Sequence, residues 1–403
     1  MATTERTPLR PELQMADAAR RQLRKRVAIV TGVLASHYVS TMSPADVPAA
    51  AVVLPGIVAD NIMICNDTKN DAGYIKLPNK KDDHYFYWFF KSRNDPSTDP
   101  LVLWLTGGAG LMALLTENGP CQVLPNFTTI INPYSWTNNA NVIWLDQPSD
   151  TGFSYAADED LDQNEDNVQE NIYWFLQSFL DTHPELIDRP LYLTGESYAG
   201  HYIPAAAHYI WQENKRAVAR HLNLQGVAIG NGLVNPVIQI AHVLDMADNA
   251  YNVDASVCRE ADAFYEDKIV SQIAKANRDQ HDIRVECHEE DVNKCYDLSY
   301  VTKYISSAPV LSYLNVSKKQ VWEECSPKVA RGFVNAGDVM RNFDAYHALV
   351  VGNGNKSIEA GRVRTFENQF TFIRVFNSGH MVPRDQPAVA LAMINRFFRN
   401  DSF

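Results

Sequence analysis

The chain has 403 residues, and its 36 Lys and Arg against 48 Asp and Glu give a formal net charge of −12, which argues against a nucleic-acid-binding protein. With 46% hydrophobic and 21% charged residues and only 19 Gly and 20 Pro, the composition excludes a disordered, collagen-like or coiled-coil chain. At this length we expect one large packed core that carries an insertion.

The first 60 residues differ from the rest and are predicted to form an N-terminal extension. A basic run that includes Arg24, Lys25 and Arg26 precedes an apolar stretch from Val27 to Ala35. This order is that of a signal peptide or a short signal anchor; the alternative is an extension without a fold. The stretch is shorter than the about 20 apolar residues that span a bilayer, and no other segment is a transmembrane candidate.

From Gly73 onward, short apolar runs alternate with helical patterns, which is typical of an α/β sheet with crossover helices. Five runs stand out: Leu101 to Thr106, Asn141 to Asp146, Pro190 to Thr194, Gly226 to Ile229 and Thr371 to Phe376. Runs that are apolar throughout imply burial on both faces. We therefore predict that these are inner strands of a mostly parallel sheet with helices on both faces.

A glycine-rich turn, Gly107 to Gly110, follows the first of these runs. Its backbone N–H groups can approach a ligand closely, which suits an oxyanion hole. The alternatives are a phosphate-binding loop, for which the GxxxxGK[ST] pattern is missing, and a plain tight turn.

The strongest local signal is Ser197, which lies between the run PLYLT and the helical pattern HYIPAAAHYIWQE. A nucleophile on a tight strand-to-helix turn needs small residues two positions before and after it, here Gly195 and Ala199. The start of the helix also favours developing negative charge. The alternative is an ordinary turn with a helix-capping serine.

His380 follows the last apolar run directly, in the loop Asn377 to Pro383, and is the candidate general base. The chain order of Ser197 and then His380 fits an α/β hydrolase and not the chymotrypsin or subtilisin order. Between Pro236 and Ala330 the sequence is charged, helical and rich in cysteine, and we interpret it as an inserted lid. The predicted divisions are an extension (1–60), a core in two parts (61–235 and 331–403, the second shortened) and the lid (236–330).

The cysteines and glycosylation sequons favour an oxidising compartment of the secretory pathway, either extracellular or vacuolar/lysosomal. The six cysteines are Cys65, Cys121, Cys258, Cys287, Cys295 and Cys325. The five sequons begin at Asn66, Asn126, Asn315, Asn355 and Asn400. The cysteines form no CxxC pair and have no histidine at zinc-ligand spacing, so neither a metal site nor a cofactor is expected.

Together these motifs closely resemble the serine carboxypeptidases, an α/β-hydrolase family, over Gly73 to Phe398. The matching segments are 104–110, 116–121, 132–148, 151–155, 195–204, 230–236 and 379–383. The resemblance implies removal of the C-terminal residue of peptides, with Ser197 as nucleophile and His380 as general base. It also implies an oxyanion hole formed by the N–H groups of Gly108 and Tyr198.

The same resemblance places Glu117 and Glu196, helped by the Gly107 backbone, at the site that binds the terminal carboxylate of the substrate. Carboxyl groups packed against another carboxylate cannot all be ionised, so their pKa values should rise. We therefore expect activity to be favoured at mildly acidic pH. The alternatives are an ordinary surface position for Glu117 and an interchangeable turn position for Glu196.

The chain departs from the family at the segment that supplies the catalytic aspartate, because no Asp occurs between Ala345 and Arg384. Asp338 is a candidate for this partner because its sequence NAGDVM resembles the missing motif, although it matches a different family segment, the AGDxM turn that precedes the missing strand. Its alternative role is that of a helix N-cap. Without the aspartate, His380 lacks the group that fixes its tautomer, and this costs roughly 10⁴ in kcat in the best-studied triad.

Two smaller departures concern the oxyanion loop and a neighbouring turn. The loop is three residues shorter than in the family, Thr106 replaces an asparagine, and Cys325 lacks its usual partner, whereas Cys287 and Cys295 resemble a local lid disulfide. Ser149 and Asp150 replace an apolar residue and a glycine.

The leading hypothesis is a serine carboxypeptidase that acts on peptide or protein C-termini through an acyl-enzyme at Ser197. The departures from the family leave open a catalytically impaired form of this protein. One alternative is an acyltransferase of the same family, which would pass the acyl group to an alcohol. The other is a peptide-binding glycoprotein that has lost turnover. The sequence does not determine the oligomeric state.

Overall fold

The computed structural model describes residues 64–65, 69–217, 219–236, 238–239, 278–279, 281–282, 284–286, 298–316, 322–343, 356–358, 360–366 and 370–402. The predicted N-terminal extension and most of the predicted lid lie outside these residues. Among the described helices, none is long and apolar enough to cross a bilayer.

The strands are β1 Asn70–Lys76, β2 Asp83–Phe90, β3 Leu101–Leu105, β4 Cys121–Val123, β5 Thr129–Ile131, β6 Asn141–Asp146, β7 Tyr155–Ala156, β8 Leu191–Glu196, β9 Leu224–Gly230, β10 Lys356–Ile358, β11 Gly361–Phe366 and β12 Phe370–Val375. The α-helices are α1 Leu111–Thr116, α2 Glu165–Thr182, α3 Ala199–Arg216, α4 Ser299–Ile305, α5 Ala308–Tyr313, α6 Pro327–Asn335, α7 Val382–Asp385 and α8 Pro387–Phe398.

The central sheet has the strand order β1-β2-β6-β3-β8-β9, with β7 paired to β2. Strand β3 runs parallel to both β6 and β8, and β8 runs parallel to β9. The strands β1, β2 and β7 extend this parallel part in antiparallel pairing. Every residue of β3, β6 and β8 is buried, which confirms the inner positions predicted for three of the five apolar runs.

The inner position predicted for the other two runs is wrong. Within the described residues β9 is the last strand of its sheet, and most of its residues are half-buried. Strand β12 pairs antiparallel with β11 in a separate sheet of the order β10-β11-β12. An apolar run does not distinguish an edge from an interior strand when other elements cover its side chains. Strand β11 is also a favourable partner for β12 because closing a short hairpin loop costs little entropy.

Two hydrophobic clusters lie on opposite faces of the sheet because successive side chains of a strand point to opposite sides. Leu103 and Ile143 pack with α2 and α3 on one face, while Trp104 and Trp144 pack with α1, α4 and α5 on the other. Each fully buried large side chain stabilises the fold by about 1.5 to 3 kcal/mol. Helices therefore cover both faces, and the carboxyl ends of β3 and β8 are fixed by packing.

Candidate active site

Ser197 occupies the tight turn between β8 and α3. Its φ of 62° lies in the left-handed region, which a serine rarely adopts and which costs about 1 to 3 kcal/mol. The turn is held by the Ser197 N–H, which donates to the Gly230 carbonyl at 3.2 Å, and by the Ser197 carbonyl, which accepts from the N–H of Leu233 at 2.9 Å. A Cβ at Gly195 would overlap the Leu105 carbonyl oxygen, so a small residue is required there, as predicted.

His380 reaches the same place from the loop after β12. Ser197, Tyr198 and His380 line one cavity of about 280 Å³, together with Asn231, Gly232, Leu233 and Gln239. The side chains of Ser197 and His380 are not hydrogen-bonded to each other. Catalytic hydrogen bonds of this kind are often long without substrate and tighten only when substrate binds. The structure thus brings the predicted nucleophile and base together.

The His380 backbone is fixed by its neighbours on both sides. Its N–H donates to the His281 carbonyl at 2.9 Å, and the Asn231 amide donates to the His380 carbonyl at 2.6 Å and to the Gly379 carbonyl at 3.3 Å. The sequence alone indicates no role for Asn231 or His281. Asn231 lies in the segment 230–236, which resembles the family, so this motif could have indicated it. None of the matching segments contains His281.

The His380 ring is half-buried, and desolvation followed by repulsion from His281 lowers its pKa to about 4. The ring is therefore neutral at pH 5 to 7 and has a lone pair that can accept a proton. Within the described part of the chain, no carboxylate forms a hydrogen bond or ion pair with this ring.

Asp338 does not contact His380. Its buried carboxylate accepts hydrogen bonds from the Tyr198 hydroxyl at 3.0 Å, from the Glu165 N–H at 3.0 Å and from Arg341 at 3.1 Å. The interpretation of Asp338 as the partner of His380 is therefore wrong. The alternative role of Asp338 as a helix N-cap is also wrong, because the N-cap of α2 is Asn164, and Asp338 accepts from Glu165 as a residue distant in sequence.

The glycine turn lies directly against the Ser197 turn. A Cβ built on Gly107 would be 3.2 Å from both the Ser197 Oγ and the Tyr198 nitrogen, and one built on Gly108 would be 2.5 Å from the Glu324 carbonyl oxygen. Among the hydrogen bonds of the described residues, neither the Gly108 nor the Tyr198 N–H donates to an acceptor. The Thr106 hydroxyl donates to the Gly108 carbonyl at 2.7 Å, which holds the two ends of this turn together.

Glu196 ends β8, Glu117 follows α1, and their buried carboxyl groups form a hydrogen bond with each other. Burial raises the pKa of Glu117 to about 8, although the nearby Arg384 acts in the opposite direction. Burial and the Glu117 charge together raise the pKa of Glu196 well above its usual range. The pair therefore keeps a proton at neutral pH. Within the described residues, the Glu117 Oε2 atom is buried without a hydrogen-bond partner.

A disulfide joins Cys65 to Cys121, and Cys325 is a free thiol beside Gly108. Desolvation, helped by Glu324, raises the pKa of the Cys325 thiol to about 12. The proposed partners Cys287 and Cys295 lie outside the described residues, as does Cys258. In the described ranges, no group of three His, Cys, Asp or Glu side chains is placed to hold a metal ion.

Comparison with known proteins gives consistent matches. A family model described as serine carboxypeptidase matches residues 61–357 and 342–400. Carboxypeptidase Y homolog A of Uncinocarpus reesii is 32% identical over 82% of this chain and 74% of its own length, and serine carboxypeptidase 3 of Hordeum vulgare is 32% identical over 88% and 82%.

A solved structure supports the same fold. A prohormone-processing carboxypeptidase from Saccharomyces cerevisiae aligns with a TM-score of 0.68 and 21% identity, covering 83% of this chain and 92% of that chain. Together with the sheet order and the helices on both faces, this match establishes the α/β-hydrolase fold.

Proposed function

The chain belongs to the serine carboxypeptidase family, and we propose that it releases C-terminal residues from peptides through an acyl-enzyme at Ser197. The observation that carries this proposal is the shared cavity, in which the strained Ser197 turn faces the neutral ring of His380. A neutral imidazole beside a serine hydroxyl is the pairing that activates the nucleophile.

In the proposed reaction, the Ser197 Oγ attacks the carbonyl carbon of the last peptide bond while His380 takes the hydroxyl proton. The N–H groups of Gly108 and Tyr198, which have no acceptor among the described residues, would bind the oxyanion. His380 then gives the proton to the leaving amine, and the C-terminal amino acid departs. Water hydrolyses the acyl-enzyme with His380 again as base.

The Glu117 and Glu196 pair would bind the terminal carboxylate of the substrate, with the Gly107 backbone. A proton held on the pair gives the substrate carboxylate a hydrogen bond in a site that would otherwise repel it. The unpaired Glu117 Oε2 atom supports this role, because a buried oxygen without a partner is costly unless a ligand completes it. Such a site would favour exopeptidase action, since an internal peptide bond offers no carboxylate.

The test is to treat the full chain at pH 5 to 7 with a fluorophosphonate probe and to map the labelled residue. We expect labelling at Ser197 and none in Ser197→Ala, because the probe reacts with an activated serine. The matched control is Ser312→Ala, which removes an exposed hydroxyl elsewhere and should label like the parent chain. A folded chain that stays unlabelled at Ser197 would overturn the proposal.

A second candidate function is peptide binding without turnover, which the absence of a carboxylate on His380 among the described residues favours. It requires the carboxylate site but not an activated serine. Peptide binding by an unlabelled chain, lost when the peptide C-terminus is amidated, would support this candidate over the first.

We also propose residence in the secretory pathway. Asn126, Asn315 and Asn400, the three sequon asparagines within the described residues, are all exposed. The Cys65–Cys121 disulfide favours the same oxidising environment. Intact mass before and after treatment with a glycosidase, on protein from a secreting eukaryotic host, tests this placement.

A further inference from the structure

We propose that His281, supported by Asp279, positions the ring of His380 in place of the aspartate that this chain lacks. The inference rests on the proposed function and names a residue of the same site to which neither the sequence nor the family resemblance assigns a role. His281 lies in the segment 278–286, part of the predicted lid insertion.

The first observation is how closely this segment packs on the His380 loop. The His380 N–H donates to the His281 carbonyl at 2.9 Å. A Cβ on Gly379 would be 2.7 Å from both the His281 carbonyl oxygen and the Asp282 Cβ. No side chain fits between the two loops at this point, so their backbones fix the two imidazoles next to each other.

The second observation is the distance between the rings. The centroids of His281 and His380 are 5.4 Å apart, with an angle of 56° between the planes. A ring-to-ring N–H···N bond of about 3 Å needs centroids about 5 Å apart, because each nitrogen lies roughly 1 Å from its centroid. The observed separation is close to this value, and rotation of the exposed His281 ring would allow the bond to form.

The third observation is that Asp279 is placed to fix the His281 tautomer. Its buried Oδ1 accepts from the backbone N–H of His281 at 2.6 Å and lies 3.6 Å from the Nδ1 atom of the His281 ring. This second distance is too long for a hydrogen bond but within the range of charge attraction. A proton held on Nδ1 leaves the His281 Nε2 with a lone pair that can accept from His380.

The other charged groups around the two loops have partners of their own. Asp282 is paired with Arg284, with a shortest distance of 2.5 Å, and Asp385 accepts from the Gly379 N–H at 2.6 Å and from Arg284 at 3.3 Å. Arg384, in α7 after the loop, lowers the pKa of Glu117 through its positive charge. Asp279 is accordingly the carboxylate associated with His281.

In the reaction, the proton of the Ser197 hydroxyl moves to the His380 nitrogen that faces it, and His380 becomes positively charged. The opposite N–H of His380 would donate to His281, which fixes the tautomer of the His380 ring. The proton then returns to the leaving amine, so His281 gains and loses none. His281 is a positioning residue because it acts through His380.

The test combines two measurements on the full chain with His281→Ala and His281→Gln. The first is ¹⁵N NMR of labelled histidines, which reports the His380 tautomer whether or not the protein is active. The second is the fluorophosphonate labelling rate of Ser197 as a function of pH. The control is His221→Ala, which removes another exposed imidazole.

We expect His281→Ala to abolish the fixed His380 tautomer and to slow labelling by between about tenfold and the 10⁴-fold that follows alteration of the acid in the best-studied triad. His281→Gln should recover part of the rate, because its carboxamide oxygen still accepts a hydrogen bond from His380.

An unchanged His380 tautomer and labelling rate in His281→Ala would overturn the inference while leaving the proposed function intact. If the parent chain fails to label but His281→Ala changes the tautomer, the positioning role stands and the proposed function falls. If the parent fails to label and the tautomer does not change, both fall.

Discussion

The hydroxyl group of Tyr198 donates a hydrogen bond of 3.0 Å to the buried carboxylate of Asp338. Tyr198 is the residue after the proposed nucleophile, and Asp338 also holds the Glu165 amide at the start of α2. Burial and the Asp338 charge raise the pKa of the Tyr198 hydroxyl, so it stays protonated and remains a donor. Asp338, whose sequence context resembles that of a triad aspartate, thus stabilises the Ser197 turn through its hydrogen bond with Tyr198.

We predict that Tyr198→Phe and Asp338→Asn destabilise the fold without changing the titration of His380. Loss of the hydroxyl should lower the free energy of unfolding by about 1.5 to 3 kcal/mol, the usual value for a hydrogen bond to a charged group. Asp338→Asn should cost more, because it also weakens the bonds from Glu165 and Arg341. Urea unfolding and ¹⁵N NMR of His380 measure the two effects. A shifted His380 titration in Asp338→Asn would show that the two residues are coupled after all.

Gly108→Ala should reduce kcat by about 10² to 10³, the loss expected when one oxyanion donor is displaced. Its Cβ would be 2.5 Å from the Glu324 carbonyl oxygen and 3.0 Å from the Cys325 Sγ, so the turn must move. Gly73→Ala is the matched control, because no atom lies within 4 Å of its added Cβ. Peptide hydrolysis and thermal unfolding of both variants provide the measurement. Full kcat in Gly108→Ala would remove Gly108 from the oxyanion hole.

Binding of peptides with a free C-terminus should weaken as the pH rises through about 8, the pKa of Glu117 in the folded chain. Above that pH the Glu117 and Glu196 pair loses its proton and repels the substrate carboxylate, so KM rises. Glu196→Gln should reduce this rise, since an amide donates a hydrogen bond at every pH. KM against pH for a blocked dipeptide and for its amide gives the comparison. Identical profiles for the two substrates would contradict the assignment.

Ser149 joins two buried carboxylates. Its hydroxyl is 2.6 Å from an Asp83 oxygen and 2.9 Å from an Asp162 oxygen. Burial, followed by the Asp162 charge, raises the pKa of Asp83 to about 8. The folded chain therefore holds a proton that the unfolded chain releases near pH 4, and this stabilisation is lost as the pH rises from about 4 to 8.

Ser149→Ala should lower the free energy of unfolding by about 1.5 to 3 kcal/mol, and by more at pH 8 than at pH 5, because the hydroxyl stabilises the ionised carboxylates. Chemical unfolding at both pH values measures the effect. Ser312→Ala, at an exposed position, is the control and should change stability little. An equal loss at the two pH values would mean that these carboxyl groups do not titrate in this range.

The tight turn at Ser197 was predictable from sequence because the constraints on it are local. Burial on both faces makes β3, β6 and β8 apolar throughout, and the tight turn after β8 leaves room only for small residues around Ser197. The Glu117 and Glu196 pairing followed from the family resemblance, since no local pattern connects two residues so far apart.

The sequence by itself determined the α/β alternation, the Ser197 turn and the family, because periodic burial and steric limits are written into neighbouring residues. Only the tertiary structure decided that β12 lies outside the central sheet, that Asp338 accepts a hydrogen bond from Tyr198, and that His281 lies beside His380. These relationships depend on which distant segments reach one another. Hydrogen bonds and packing of the folded chain select such partners, and residue type alone does not.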